Sequence, residues 1–467
     1  MTWHETDQKG VFSRPIGENE AFIKLLGDAG LPLNREHWSI NSTATIVPTG
    51  STLSADLTSH FRRAWAHLRF QHPSLAAESA PDNNDFIYAV PADEKALDAW
   101  ISQTFSVASD AHSSADVIAT FQPTPYAKLV YIPRSGELLG HTSHWRSDGI
   151  GVLLLLDAFL SIASEPPPLA DPASLPWGSE VEHLAPSIED TAALPKDSTP
   201  TLKERGAAAV GTFSHAAGAV GIPFVGVADT LPGGTRSAAS VFDLVTTEKI
   251  VAGCKEKGVS VTAAVHASVA GANYALADEG DRDKHYTSTI RFALRPYLPE
   301  PYSTPAYAAG LYTTGWMKRV ESGWSWTERL GQYQDEYRKG ISRDFLDSHR
   351  EYAAQLGDMI RNLSSQGGGG NPPSDVDISS IGVAEKLMRQ SYGTAEAGFD
   401  VKAVSVGVEI LSRQAVTFVW TFRGRLNLSA VYNESFHSAD QMKGFISEVK
   451  KHLLDGLNIK GSETDVP

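Results

Sequence analysis

The alternation of apolar and polar positions divides the chain into predictable helices and strands. Within Leu53 to Phe70 (LSADLTSHFRRAWAHLRF), Leu57, Phe61, Trp65 and Leu68 fall at helical spacing, and Gln71-His72-Pro73 ends the run. Glu18 to Ala29 reads as a shorter helix closed by Gly30. Trp38 to Val47 (WSINSTATIV) alternates as a strand does, Phe86 to Val90 predicts another strand, and Ala92 to Thr104 a helix. Lys128 to Tyr131 and Leu138 to Thr142 flank Pro133-Arg134-Ser135-Gly136, the pattern of a hairpin. Ile150 to Ala163 (IGVLLLLDAFLSIA) carries a single charge, so this helix is expected to be buried on nearly all sides. The first half therefore mixes helices and strands without strict βαβ alternation.

Ser164 to Trp177 (SEPPPLADPASLPW) is broken five times by proline, and Pro, Gly, Ala and Ser dominate to about Ser240. Apolar residues such as Phe213, Ile222 and Phe224 recur there, which favours an ordered crossover over a disordered insert. The expected division is an amino-terminal lobe over 1–178, a crossover over 179–238 and a carboxy-terminal lobe over 239–467. The second half predicts a strand over Ala239 to Val245 and a helix over Thr246 to Lys257. An Ala-rich helix follows over Val261 to Leu276, capped by Ser260 or Thr262, with His266 packed inside it. Tyr286 to Leu294 is a strand leading into Arg295-Pro296-Tyr297-Leu298-Pro299, and Trp326 to Arg361 a long helical region. Ser364 to Asp377 reads as a flexible surface loop, whose Gly367–Gly370 tract lacks a P-loop lysine. Val401 to Leu411 and Ala415 to Tyr432 are expected strands, paired as a hairpin across Ser412-Arg413-Gln414. Asp440 to Leu454 is the last amphipathic helix.

Composition narrows the class. At 467 residues, 42% hydrophobic and 20% charged, the chain is a globular protein large enough for two lobes. A net charge of −15 argues against nucleic acid and anionic membrane partners, though local cations suffice for a phosphate-bearing cosubstrate. The single cysteine, Cys254, excludes an internal disulfide and a multi-cysteine metal site, and beside Lys255 it reads as an inert thiol. The first residues (MTWHETDQKG) are polar and no apolar run approaches a membrane span, so a cytoplasmic monomer is expected.

Candidate chemistry concentrates at His144-Trp145-Arg146-Ser147-Asp148-Gly149, between the hairpin and the apolar helix. An imidazole that is neutral near physiological pH can take a proton from an attacking hydroxyl or amine, so H-x-x-x-D-G suits a general base without a protein nucleophile. Gly149 lets the chain turn into the helix where a side chain would obstruct it. Beside this stands a plainer reading, in which His144 packs against the hairpin and Asp148 caps the helix. No G-x-S-x-G elbow, H-E-x-x-H or dinucleotide fingerprint supports a hydrolase, zinc protease or dehydrogenase.

With this layout the chain resembles the superfamily of chloramphenicol acetyltransferase, the BAHD acyltransferases and peptide-synthetase condensation domains. The resemblance rests on HWRSDG (His144–Gly149), on Leu68-Arg69-Phe70-Gln71-His72-Pro73, on Arg291 to Pro299 (RFALRPYLP) and on Val419 to His437 (VWTFRGRLNLSAVYNESFH). The last, with Ser379 to Lys386 (SSIGVAEK), is most similar to fungal trichothecene-type O-acetyltransferases. Two departures separate it from sister branches. The D-F-G-W-G motif of plant enzymes has only Phe399-Asp400-Val401 as a counterpart, and Ser143 stands where condensation domains carry a second histidine.

The resemblance implies a mixed α/β fold of two lobes meeting around an active-site tunnel, with His144 at its middle. It implies acetyl-CoA or another acyl-CoA entering by one mouth and a small acceptor alcohol by the other, with no metal and no covalent intermediate. Asp148 would turn away and pair with an arginine, Arg295 or Arg291, while Trp145 and Ser147 line or brace the loop. Thr421 and Asn433 are the candidate oxyanion or tunnel-lining groups, against an ordinary sheet-and-turn reading for each. The implied activity is O-acylation, chiefly O-acetylation, of a hydrophobic secondary metabolite. The alternatives are amide formation or cyclisation on a carrier-bound acyl chain, and a non-catalytic scaffold of the same fold.

Overall fold

A computed structural model describes residues 2–54, 56–165, 169–227, 229–365 and 373–460. The amino-terminal sheet has six strands in the order Ser391–Gly393, Ala397–Val408, Ile40–Gly50, Glu137–Thr142, Lys128–Ile132 and Phe105–Val107. The carboxy-terminal sheet orders Val376–Val383, Ala415–Phe422, Arg425–Asn433 and Thr235–Val241. A two-stranded ribbon (Tyr286–Ala293 with Thr313–Val320) and a small four-stranded sheet near the amino terminus complete the strands. The architecture is thus mixed α/β in two lobes.

Each large sheet is covered by helices whose pattern matches their burial. Leu57–Gln71 presents Phe61, Trp65 and Leu68 to the first core and is capped by Asp56, which accepts from the Ser59 amide at 3.2 Å. Gly149–Ala163 is buried along most of its length, as its single charge foretells. In the second lobe, Val261–Leu276 is buried from Ala263 through Asn273, with mostly small side chains around His266, and Ser260 caps it. It packs on the sheet beside the terminal helix Ala439–Gly456, which contributes Met442, Phe445 and Val449. No helix among the described residues is long and apolar enough to cross a membrane.

The expected hairpin across Ser412-Arg413-Gln414 does not form. Ala397–Val408 instead crosses to the other lobe and pairs antiparallel with Ile40–Gly50, from Ala397 opposite Gly50 to Val408 opposite Ile40. Val404 and Val406 then join the amino-terminal core with Ala44 and Phe61, apolar burial that a local hairpin would forfeit. The span Ala415 to Tyr432 is two strands, turned at Arg423-Gly424 with φ of 53° and 68°, a primed turn that suits twisted strands. A linear division at residue 239 therefore misses the strands at 391–408. It also cuts Thr235–Val241, which begins inside the expected crossover, and the next helix starts at Leu244 behind its Asp243 cap.

The long helical region is three helices, Trp326–Lys339, Arg343–Asp347 and His349–Ser365, parted first at Gly340, whose φ is 61°. Half of the expected surface loop 364–377 (366–372) lies outside the described residues, as does Pro166–Pro168, but Val376 and Asp377 are buried in a strand.

The crossing strand is held by close backbone approach at Gly398, where a Cβ would lie 2.1 Å from the Tyr392 carbonyl oxygen. Gly398→Val is expected to cost about 1–3 kcal/mol by overpacking, read as a lower urea midpoint with an unchanged slope. An unshifted midpoint would mean that the backbones at Gly398 and Tyr392 are not in this close contact.

Candidate active site

Strand Glu137–Thr142 delivers the chain to the His144 loop, and every residue of the loop is tied. Ser143 Oγ donates to Glu36 Oε2 at 2.9 Å, both side chains being buried. Trp145 stacks on Phe86 with ring centroids 4.2 Å apart, in a cluster with Ile23 and Leu311. It therefore braces the loop through packing. Arg146 is buried and donates to the carbonyls of Ser74 (3.0 Å), Ala77 (2.7 Å) and Pro125 (2.7 Å) and to Thr142 Oγ1 (2.7 Å). Ser147 Oγ donates to the Ala308 carbonyl at 2.9 Å.

Asp148 combines the two roles considered for it. Its Oδ1 accepts from the amides of Ile150 (3.1 Å) and Gly151 (2.8 Å), capping the buried helix, and both oxygens accept from Arg295 Nη1 at 2.6 Å. Oδ2 also takes the Tyr312 amide at 2.9 Å. Arg295 Nη2 donates in turn to the carbonyls of Ala308 (3.3 Å) and Gly310 (3.0 Å). Both partners are almost sealed, at 3% and 5% exposure, so each charge needs the other.

Arg291 takes no part in the Asp148 pair. Arg295 lies past the end of strand Tyr286–Ala293, in a tight turn, so the two arginines are not on one strand face. Arg291 pairs with Asp377 at 2.8 Å and donates to the Ile378 carbonyl. Gly149 is needed for a different reason than a turn: it has no positive φ, but a Cβ there would sit 2.9 Å from Ile381 Cδ1. At Gly151 a Cβ would lie 2.3 Å from both the Ala308 carbonyl and Ser147 Oγ.

His144 itself is half-buried. Its Nδ1 lies 3.1 Å from the Ser147 carbonyl, which can only accept, so Nδ1 carries the hydrogen. That leaves Nε2 with a lone pair, and it has no partner among the described residues. Burial holds the imidazole below its ordinary pKa; the Asp148 charge opposes this and the Arg291 charge adds to it. The ring is therefore neutral at physiological pH.

The two oxyanion candidates are not brought to this ring. The Asn433 amide is spent on a clamp: Oδ1 accepts from Gly233 (2.9 Å) and Ser435 (3.1 Å), and Nδ2 donates to the carbonyls of Gly233 and Ile410 (both 2.8 Å). Thr421 alternates with Phe418, Trp420 and Phe422, which face the other lobe, so it shares the opposite face with Val419. The Cys254 thiol is buried and pushed up to about 11, and hence protonated.

A cleft of about 270 Å³ lies between the two large sheets, with Asn41, Thr43 and Ser405 on one side and Trp420, Asn427 and Ser429 on the other. His144 is not among its lining residues. Sequence reasoning missed Glu36, Arg146, Gly151 and Asp377. Arg146 and Gly151 stood in or beside the motif, whereas nothing local marked Glu36 or Asp377.

No family model matches the chain. It is 42% identical over 462 residues to the acetyltransferase pigO of Monascus ruber, covering 98% of this chain and 99% of that one. The O-acetyltransferase pigM of Monascus ruber is 31% identical over 461 residues, covering 98% of this chain and 88% of pigM. Among solved structures, the TRI3 trichothecene 15-O-acetyltransferase of Fusarium sporotrichioides matches with a TM-score of 0.81 at 16% identity, over 97% of each chain. The first condensation domain of the calcium-dependent antibiotic synthetase matches with a TM-score of 0.63 at 13% identity, over 95% of this chain and 96% of that one. At such identities the two structures establish a shared fold and nothing finer.

Asp148→Asn keeps the shape of the cap but strands the Arg295 charge. It is expected to cost about 3–5 kcal/mol in chemical denaturation, and the Asp148→Asn/Arg295→Gln pair less than the sum of its singles. Arg291→Gln, at a site 27% exposed on the arginine side, should cost distinctly less. Equal losses for Asp148→Asn and Arg291→Gln would contradict this ranking.

Proposed function

The chain belongs to the fungal acetyltransferase family of pigO and pigM and is an acyltransferase, and from that premise we propose an acyl-CoA-dependent O-acylation. The donor is acetyl-CoA or another acyl-CoA, and the acceptor is a hydroxyl of a secondary metabolite. His144 is the general base. The observation that carries this reading is the ring's hydrogen bonding, with Nδ1–H held by the Ser147 carbonyl and Nε2 left as an unoccupied acceptor.

The steps follow from that arrangement. Nε2 accepts the hydroxyl proton as the acceptor oxygen bonds to the thioester carbonyl carbon. The tetrahedral oxyanion reforms its carbonyl by breaking the C–S bond, and the departing thiolate takes the proton back from the imidazolium. The products are the ester and free CoA thiol, so atoms and charge balance without an acyl-enzyme. The protein's part is positional: Asp148, Arg295, Ser147 and Arg146 hold the loop still, so little ordering is left to the reaction itself. Asp148 also lies near enough to favour the imidazolium once it forms.

Incubation with acetyl-CoA and a panel of alcohols, followed by thiol release, tests the activity. His144→Ala is expected to lower kcat/KM by about 10²–10⁴ with an unchanged far-UV spectrum. An undiminished rate would end the general-base assignment. The pH profile gives a second check. Because burial lowers the His144 pKa, the neutral base persists below the ordinary value, so the acidic limb of kcat/KM should fall at a pH under about 6.5. A limb above that value would mean a different titrating group.

A further inference from the structure

The cleft between the sheets has a chemistry of its own. Alternation along Ile40–Gly50 puts Ile40, Ala44 and Ile46 in the helix-covered core, so Asn41 and Thr43 point the other way, toward the carboxy-terminal sheet. Ser405 of the crossing strand faces the same space, its hydroxyl joined to that of Thr43 at 2.5 Å. The facing wall offers Asn427 and Ser429 beside Trp420. The walls approach at Gly407, where a Cβ would lie 3.5 Å from Val431 Cγ2.

Register places the Asn41 end of this cleft near the end of the strand that leads to the His144 loop. Asn41 pairs with His141 on one side and Gly407 on the other, and the histidine strand ends one residue later at Thr142.

Two polar side chains on opposite walls each have an open atom without a protein partner among the described residues. Asn41 is 3% exposed; its Oδ1 accepts from His141 Nδ1 at 2.8 Å, and its Nδ2 has no partner among the described residues. The Ser429 hydroxyl, on a residue 6% exposed, also has none among them. Open polar atoms of this kind are free to bond a ligand or water. The lining's guanidinium, Arg236, is already held by Glu434 at 2.7 Å, so the phosphates of CoA would find no free cation there. At one water-sized sphere per non-hydrogen atom, the volume admits a molecule of roughly twenty such atoms.

We propose that this cleft seats the acceptor, and that it selects an uncharged, multiply oxygenated molecule over a hydrocarbon alcohol. The proposal rests on the acyltransferase reading and refines it: Asn41 and Ser429 bind acceptor oxygens from opposite walls, and the donor enters elsewhere.

Isothermal titration of the full chain compares two uncharged alcohols of similar size. One is 3-hydroxychroman-4-one, with a ketone, an ether and a hydroxyl; the other is 1-decanol, with one oxygen. The chromanone should bind roughly ten-fold more tightly, a preference that Asn41→Leu removes and Ser429→Ala reduces several-fold. If Asn41→Leu does not fold, Ser429→Ala carries the test alone. Free coenzyme A should leave the chromanone isotherm unchanged. Equal binding of the two alcohols, an undisturbed preference in folded Ser429→Ala, or displacement of the chromanone by coenzyme A would each overturn the proposal. The titration needs no turnover. A wild-type chain that releases no thiol from acetyl-CoA therefore counts against the transferase reading and leaves the cleft to be judged by binding.

Discussion

The buried pairing of Asp148 with Arg295 is the constraint on which the rest of the site depends. It joins residues 147 positions apart, one in the histidine loop and one just past a strand of the second half. A carboxylate and a guanidinium this deep are tolerable only when nearly every lone pair and N–H is met. Here the carboxylate takes two helix amides, the Tyr312 amide and the guanidinium, and the guanidinium also reaches two carbonyls. One contact therefore sets the start of a helix, the path of residues 308–312 and the seat of the loop. A histidine on such a loop has little freedom left except the protonation of its outward nitrogen.

His144 is only half-buried, whereas His72, His141, His266, His349 and His437 are sealed in the core. Burial lowers the pKa of several, with His37, His72 and His349 pushed to about 4 and His141 and His266 to about 3. A lowered pKa alone therefore distinguishes nothing. His266 has both nitrogens bonded, to Ser288 and Tyr337, and its ring lies flat on Tyr333 at 3.6 Å. His141 is bonded to Asn41 and stacked on Phe121. His144 combines a carbonyl on Nδ1 with an unoccupied Nε2, the arrangement a proton acceptor requires.

The crossing strand Ala397–Val408 does for the lobes what the ion pair does for the loop. It is covalently part of the second half yet completes the first sheet, with Val404 and Val406 in that core. Separating the lobes would expose this apolar surface and break the ladder to Ile40–Gly50. The cleft is then a consequence of two sheets held at a set spacing.

The amino-acid sequence by itself determined the helices, most strands and the chemistry of the loop. Caps at Asp56, Ser260 and Ser438, the apolar run before Ala163 and the H-x-x-x-D-G spacing act over a few residues, and such local signals survive folding unchanged. Tertiary structure alone decided which arginine meets Asp148, because Arg291 and Arg295 look alike until the strand between them ends. It also decided that Val401 to Leu411 joins the distant sheet: alternation gives a strand its buried face but not its neighbour. Asp377 and Glu36 became part of the site only through contacts that span the chain, whose energy depends on three-dimensional proximity and leaves no periodic trace in the sequence.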